Sequence, residues 1–126
     1  MIIKDRLWFN VSSDGKLLAH MNLEGAPRLH ISSTDSLQEI RSFPLPRDCD
    51  ADDIAFSTDD KSVLYAVRAG ADTTIWRQPL DNAPPVKVAS LSGKYVYWLR
   101  PSPDGKNLGL TVGTPTSEAV LLRDIR

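Results

Sequence analysis

The sequence is poor in the side chains that build disulfides and metal sites. Its 126 residues include one cysteine, Cys49, and two histidines, His20 and His30. A single cysteine cannot form an internal disulfide, and these three side chains are too few for a convincing zinc site. We therefore expect no disulfide, no metal and no cofactor in the folded chain.

The chain also lacks an excess of charge of either sign and any long apolar run. Fifteen basic and sixteen acidic residues leave a net charge of -1, so no positive field attracts nucleic acid or anionic lipid. Charged residues at positions 4–6 interrupt the N-terminal segment, and no stretch approaches the ~18 apolar residues of a membrane-spanning helix. We expect a soluble protein, cytoplasmic or periplasmic, with no nucleic-acid partner and no membrane insertion.

What the sequence does contain is an internal repeat. Three segments of the type Ser-x-Asp-Gly-Lys occur, and their aspartates at positions 14, 59 and 104 are separated by 45 residues each time. In such a turn the aspartate accepts backbone hydrogen bonds and the glycine takes a positive φ without steric cost. The aspartate and the residue that follows it are thus structural in each segment, and we assign turn-forming roles to Asp14, Gly15, Asp59, Asp60, Asp104 and Gly105.

Each turn lies between two short runs rich in aromatic and β-branched residues, and further runs of this kind follow it. No segment combines a helical apolar period with caps at both ends. Four antiparallel strands in about 40–45 residues are typical of a β-propeller blade. The sequence therefore predicts an all-β partial propeller in one domain, with blades at about 8–43, 54–91 and an incomplete 95–126.

The third turn carries a family resemblance. Ser102-Pro103-Asp104-Gly105-Lys106, followed by the apolar run 107–111, resembles the TolB-type, WD40-like (PD40) propeller repeat. Residues 74–81 look like the third strand and turn of the same repeat, and residues 120–124 resemble the end of the C-terminal propeller of bacterial multidomain regulators. Such propellers serve as translocation scaffolds, peptidase gates and sensors, so the resemblance implies a fold more than an activity.

The sequence departs from this family pattern at three places. Ser13 replaces the motif proline, Asp60 replaces the motif glycine, and Pro101 stands where an aromatic residue is usual. Asp60 is tolerable because aspartate enters the left-handed region more readily than most residues. These departures affect the packing of the first strands and leave the turns intact.

Three blades cannot close a ring, because complete propellers have about four to eight. Two copies of the chain would supply six, and residues 2–6 of one copy could add an outer strand to the third blade of the other. The competing hypothesis is that the chain is part of a longer protein whose other blades complete the ring. Either way the exposed sides of the first and third blades need a partner.

Several residue sets were candidates for chemistry. The turn aspartates would be spread around a ring, whereas paired catalytic carboxylates lie within about 5–10 Å of each other. The acidic cluster Asp48, Asp50, Asp52 and Asp53 lacks the glycine and the glutamate of a calcium loop, so we expect a solvated loop. His20 and His30 would approach each other across a hairpin without a third ligand, and Cys49 has no activating base. We therefore expect no enzyme.

Exposed aromatic and arginine side chains remain as binding candidates, since tryptophan, tyrosine and arginine dominate binding hot spots. We choose Tyr97, Arg100 and Trp76. The favoured function is a non-catalytic module that binds a protein or peptide partner. The alternatives are the gating propeller of a serine peptidase and a lectin-like oligomer that binds sugar between blades.

Overall fold

A computed structural model describes residues 8–47, 49–113, 117–123 and 125. These residues form strands and turns, with no helix among them. The described part of the chain thus offers no helix that could cross a membrane. The strands, in chain order, are β1 (Trp8–Val11), β2 (Leu17–Asn22), β3 (Arg28–Ser33), β4 (Glu39–Pro44), β5 (Asp50–Phe56), β6 (Ser62–Ala69), β7 (Asp72–Pro79), β8 (Val86–Ser92), β9 (Tyr95–Pro101), β10 (Asn107–Gly113) and β11 (Ser117–Arg123).

The strands form three antiparallel sheets in which chain neighbours are paired. The first sheet has the order β1-β2-β3-β4, the second β5-β6-β7-β8, and the third, over the described residues, β9-β10-β11. This is the predicted all-β architecture of a partial propeller, built from consecutive hairpins that need only short turns. The predicted addition of residues 2–6 as an extra strand lies outside the described residues.

Consecutive sheets pack face to face, and their first strands come together. β1 contacts β5, and β5 in turn contacts β9. One buried cluster fills the space between sheets 1 and 2, and a second fills the space between sheets 2 and 3. The adjacent residues Leu64 and Tyr65 of β6 point to opposite faces of sheet 2, so one belongs to each cluster. Sheet 2 therefore contributes to both cores.

The repeat extends to irregular details of the backbone. The pairing of β5 with β6 shifts between Ala51 and Asp53, and that of β9 with β10 shifts at the corresponding place, between Val96 and Trp98. The extra residues of these bulges are Asp52 and Tyr97, which are 45 positions apart. A bulge bends a strand and redirects its side chains, so both first strands are bent at the same point.

Two sequence predictions about strand limits were wrong. The acidic cluster is not a loop, because Asp50 already begins β5, and Asp48 lies outside the described residues. The run 37–43, which the repeat predicts as the fourth strand of the first blade, becomes a strand only at Glu39, because Leu37 has a φ of 58° and its N–H donates to the carbonyl of Ser33 at 2.9 Å. A residue in the left-handed region closes a turn and cannot belong to a strand.

Candidate functional site

The three repeat turns share one set of hydrogen bonds. In the first, the Ser12 hydroxyl donates to Asp14 Oδ1 at 2.7 Å, and the Lys16 N–H donates to the same oxygen at 2.9 Å. The second and third turns repeat both bonds at Asp59 and Asp104. The fourth turn position is left-handed in all three, with φ of 76° at Gly15, 59° at Asp60 and 74° at Gly105. These aspartates are therefore occupied in holding their own turns.

The charge of the turn aspartates is favoured by these bonds. The N–H of Lys16 and the hydroxyl of Ser12 lower the pKa of Asp14. The hydroxyl of Ser57 and the N–H of Lys61 likewise lower the pKa of Asp59. A carboxylate that accepts hydrogen bonds is stabilised in its charged form, so both turns carry a negative charge at neutral pH.

Neighbouring turns also contact each other in a head-to-tail series. The N–H of Ser13 donates to Asp60 Oδ1 at 3.0 Å, and the Ser13 hydroxyl bonds to the other oxygen of that carboxylate. One sheet further on, the Thr58 hydroxyl donates to the carbonyl of Ser102 at 2.6 Å. Asp60, which departs from the family pattern, thus joins sheet 2 to sheet 1.

The acidic residues of β5 join sheet 2 to sheet 3. Asp52 Oδ2 accepts from the N–H of Val96 at 2.8 Å, and Asp53 Oδ2 accepts from the N–H of Leu99 at 3.0 Å. Each carboxylate also pairs with an arginine, Asp52 with Arg68 and Asp53 with Arg100. In the described part of the chain, no group of three or more histidine, cysteine or carboxylate side chains is placed to hold a metal ion. The cluster contributes to packing between sheets.

An exposed aromatic surface lies on β9. Tyr95, Tyr97 and Trp98 are 49%, 50% and 59% exposed, and the Arg100 guanidinium lies 4.7 Å from the centre of the Trp98 ring. We call Tyr95, Tyr97, Trp98 and Arg100 the β9 surface. The sequence-predicted residues Tyr97 and Arg100 both belong to it. An arginine stacked on an aromatic ring is the side-chain combination found at protein-binding hot spots.

The repeat explains where the β9 surface points. Tyr97 and Trp98 follow Asp52 and Asp53 by 45 residues. Asp52 and Asp53 contact the next sheet, as described above, so Tyr97 and Trp98 occupy the positions that face a following sheet. The Tyr97 ring also lies directly over Gly113, where a Cβ atom would come within 2.2 Å of Tyr97 Cε2.

The third chosen residue, Trp76, lies elsewhere. It is half-buried on β7 and packs against the cluster between sheets 1 and 2. The structure therefore does not bring it together with Tyr97 and Arg100. Packing between blades is the alternative to partner binding for an aromatic residue of a propeller, and it is the role that Trp76 has here.

The two histidines meet as the hairpin pattern predicts. His20 and His30 are paired across β2 and β3, and their rings stack with centroids 4.9 Å apart. His30 Nδ1 contacts Glu39, while His20 Nδ1 is buried without a partner among the described residues. Burial, together with the neighbouring His30, lowers the pKa of His20.

A cavity of about 370 Å³ lies between sheets 2 and 3, beside the second and third turns. Sequence reasoning missed an arginine in its lining, Arg77, whose Nε is buried and donates to no group in the described residues. The repeat contains a signal for it. Leu64 follows Ala19 by 45 residues, and Arg77 is paired with Leu64 as Ile31 is paired with Ala19, so an arginine stands where the first blade has an isoleucine. Finding it requires the register of each hairpin, which the turn motif alone does not give.

Comparisons with known proteins agree on the fold. No protein-family model and no curated protein matches the chain. Among solved structures, TolB from Acinetobacter baumannii matches 94% of the chain at a TM-score of 0.71 and 16% identity. A putative TolB from Agrobacterium tumefaciens matches 98% at 0.75 and 17% identity, and a prolyl endopeptidase matches 94% at 0.66 and 20% identity.

The chain spans only part of each of these neighbours, 30% and 48% of the two TolB chains and 20% of the endopeptidase. At such identities the likeness concerns the fold. The sheet order, the meeting of first strands and these neighbours agree, and the chain has the fold of a partial TolB-like β-propeller.

Proposed function

We propose that the chain is a non-catalytic β-propeller module that binds a protein or peptide partner through the β9 surface and the loops at the ends of its strands. The observation that carries the proposal is the exposure of Tyr97 and Trp98 at positions where sheet 2 contacts its neighbour, with the exposed Arg100 stacked on Trp98. Exposed aromatic residues on a strand that should face another sheet are typical of an interaction surface. Neither nucleic acid nor a membrane is part of this proposal.

The non-catalytic part of the proposal is supported by how the turn serines are used. The hydroxyls of Ser12, Ser57 and Ser102 donate to the aspartates of their own turns. A nucleophilic serine donates to a general base that removes its proton. The lowered pKa of Asp14 and Asp59 makes these carboxylates weak bases, so the hydroxyls of Ser12 and Ser57 are poorly placed for that role.

We propose further that the ring is completed by a second copy of the chain, giving six blades, or by other blades of a longer chain. The open side of sheet 1 exposes Phe9 and Val11, at 50% and 41%. The residues 45 positions later, Ile54 and Phe56, are buried at 1% and 5% because sheet 1 covers them. Both ends of the three-sheet unit thus present the surfaces that its interior buries, as expected for PD40-type repeats in a ring.

The experiment is the solution mass of the 126-residue chain by light scattering. Self-association predicts about twice the monomer mass of 13.9 kDa, and Trp98→Ser is expected to return the chain to a folded monomer. Ile40→Ser is the control, because Ile40 is equally exposed, at 54%, but lies on the outer strand β4. A folded monomer of the native chain would contradict self-association and favour the longer-chain hypothesis.

A further inference from the structure

We propose that the cavity between sheets 2 and 3 binds a small zwitterion of the amino-acid class. Arg77 would hold its carboxylate, Asp59 would face its amino group, and Leu64, Pro101 and Ile125 would enclose an aliphatic side chain. This site is separate from the β9 surface and does not depend on the proposed function.

The cavity exists because one interface of the repeat is filled and the other is not. Between sheets 1 and 2, Phe56 and Ile31 belong to the buried core, with 5% and 2% exposure. Between sheets 2 and 3, Pro101 follows Phe56 by 45 residues and takes its place on the first strand. Proline is much smaller than phenylalanine, so space opens at this point.

A hydrogen bond is lost at the same place. Asn10 Oδ1 accepts from the N–H of Phe56 at 3.1 Å and thereby joins sheets 1 and 2. The corresponding residues one repeat later are Ala55 and Pro101. Alanine has no side-chain acceptor and proline has no N–H, so this link cannot form between sheets 2 and 3.

Arg77 introduces a cation into the opened space. Ile31 lies opposite Ala19, and Arg77 lies opposite Leu64, which follows Ala19 by 45 residues. Arg77 therefore takes the place of a buried isoleucine. A buried guanidinium nitrogen without an acceptor is costly, and a ligand carboxylate would supply the acceptor in a charge-assisted bond.

The charge around the cavity favours a ligand that carries both signs. Asp59 and Asp104 also line it, so a simple anion would meet two carboxylates. Hydrogen bonds within the turn keep the pKa of Asp59 low, and its charge persists at neutral pH. Ligand cavities span about 300–1,000 Å³, and about 370 Å³ lies at the small end of that range. A single amino acid suits the size.

The experiment is NMR titration of the ¹⁵N-labelled chain, which follows the Nε–Hε signal of Arg77 and the amide of Leu64. The probes are L-leucine, its deaminated analogue 4-methylpentanoate and its decarboxylated analogue 3-methylbutylamine. We expect saturable shifts with L-leucine, and affinity lower by about tenfold for each analogue, the effect of losing one charged contact.

Two variants and one control make the result specific. Arg77→Met keeps an unbranched apolar side chain in place of the aliphatic part of arginine and removes the guanidinium, and Pro101→Phe restores the residue that fills the first interface. Both are expected to abolish the Leu64 shift, and Pro101→Phe to raise the melting temperature as well. Arg41→Met, at an exposed arginine of β4, should leave the titration unchanged. Should Arg77→Met not fold, Pro101→Phe tests the site independently.

Several outcomes would overturn the proposal. One is the absence of a saturable shift with millimolar L-leucine. Another is an affinity for either analogue equal to that for L-leucine. A third is a shift with L-leucine that persists in Pro101→Phe. A stronger response to N-acetylglucosamine than to L-leucine would also overturn it, in favour of a sugar site.

Discussion

At the scale of single residues, His20 shows how burial sets the behaviour of a titratable group. Its ring is half-buried on β2 and stacked on His30, and its Nδ1 has no partner in the described part of the chain. Both burial and the second imidazole oppose a positive charge there. The folded state therefore favours neutral His20 more strongly than the unfolded state does.

This preference makes stability depend on pH in one direction. Because the folded pKa lies below the ordinary value of 6.5, the contribution of neutral His20 is complete above that pH. It is lost as the pH falls from 6.5 through the folded pKa, since the unfolded chain binds the proton first. We expect His20→Phe to reduce the loss of unfolding free energy between neutral and mildly acidic pH, measured by urea denaturation. The same loss in the variant and the native chain would contradict this role.

At the scale of elements, β5 is the strand that organises its neighbours. Its buried residues, such as Ile54 and Ala55, contribute to both cores, while Asp52 and Asp53 accept hydrogen bonds from the backbone of β9. β5 and β9 lie next to each other but belong to different sheets, so they form no backbone hydrogen bonds of the β-sheet type with each other. The side chains thus replace the missing backbone partners.

Loss of one such acceptor should be costly. In Asp53→Ala the N–H of Leu99 loses its acceptor and Arg100 loses its ion pair. We expect the free energy of unfolding to fall by about 2 kcal/mol, the usual cost of an unsatisfied buried donor. Asp72→Ala, at an exposed position at the start of β7, should change it by less than about 0.5 kcal/mol. Equal effects of the two substitutions in chemical denaturation would refute this assignment.

The elements also show what the sequence could predict. The turns and the hairpins around them follow from local chemistry, since Asp14 and Gly15 hold a turn whatever surrounds it. The strand character of residues 50–53 could not be predicted, because aspartate disfavours strands and its partners here lie on β9. The cavity at Arg77 was missed for the same reason, since it depends on the difference between two sheet interfaces. Tyr97 and Arg100 were chosen by residue type, and the structure shows that both are exposed, while their role in binding stays a prediction.

At the scale of the whole molecule, sheet 2 connects the two cores, because it contributes different residues to each of them. Leu29 and Leu99 are both fully buried, the first between sheets 1 and 2 and the second between sheets 2 and 3. Since β5, β6 and β7 of sheet 2 each contribute side chains to both cores, loosening either core exposes a face of the same sheet. The three sheets should therefore unfold together.

This coupling can be measured with two truncations. We expect Leu29→Ala and Leu99→Ala each to lower the free energy of unfolding by about 2–5 kcal/mol. In both variants the transitions followed by circular dichroism and by tryptophan fluorescence should coincide. Leu37→Ala, at a half-exposed turn residue, should have little effect. Two separated transitions in either core variant would show that the sheets unfold independently.

The head-to-tail contacts between turns give the molecule a direction. Ser13 reaches forward to the second turn and Thr58 reaches forward to the third, each through a hydroxyl. The same position in the third turn is Pro103, which has neither a hydroxyl nor an N–H to donate. A sheet that packs against the third one would therefore receive no such bond from this turn, which makes that junction the place at which a closed ring would open first.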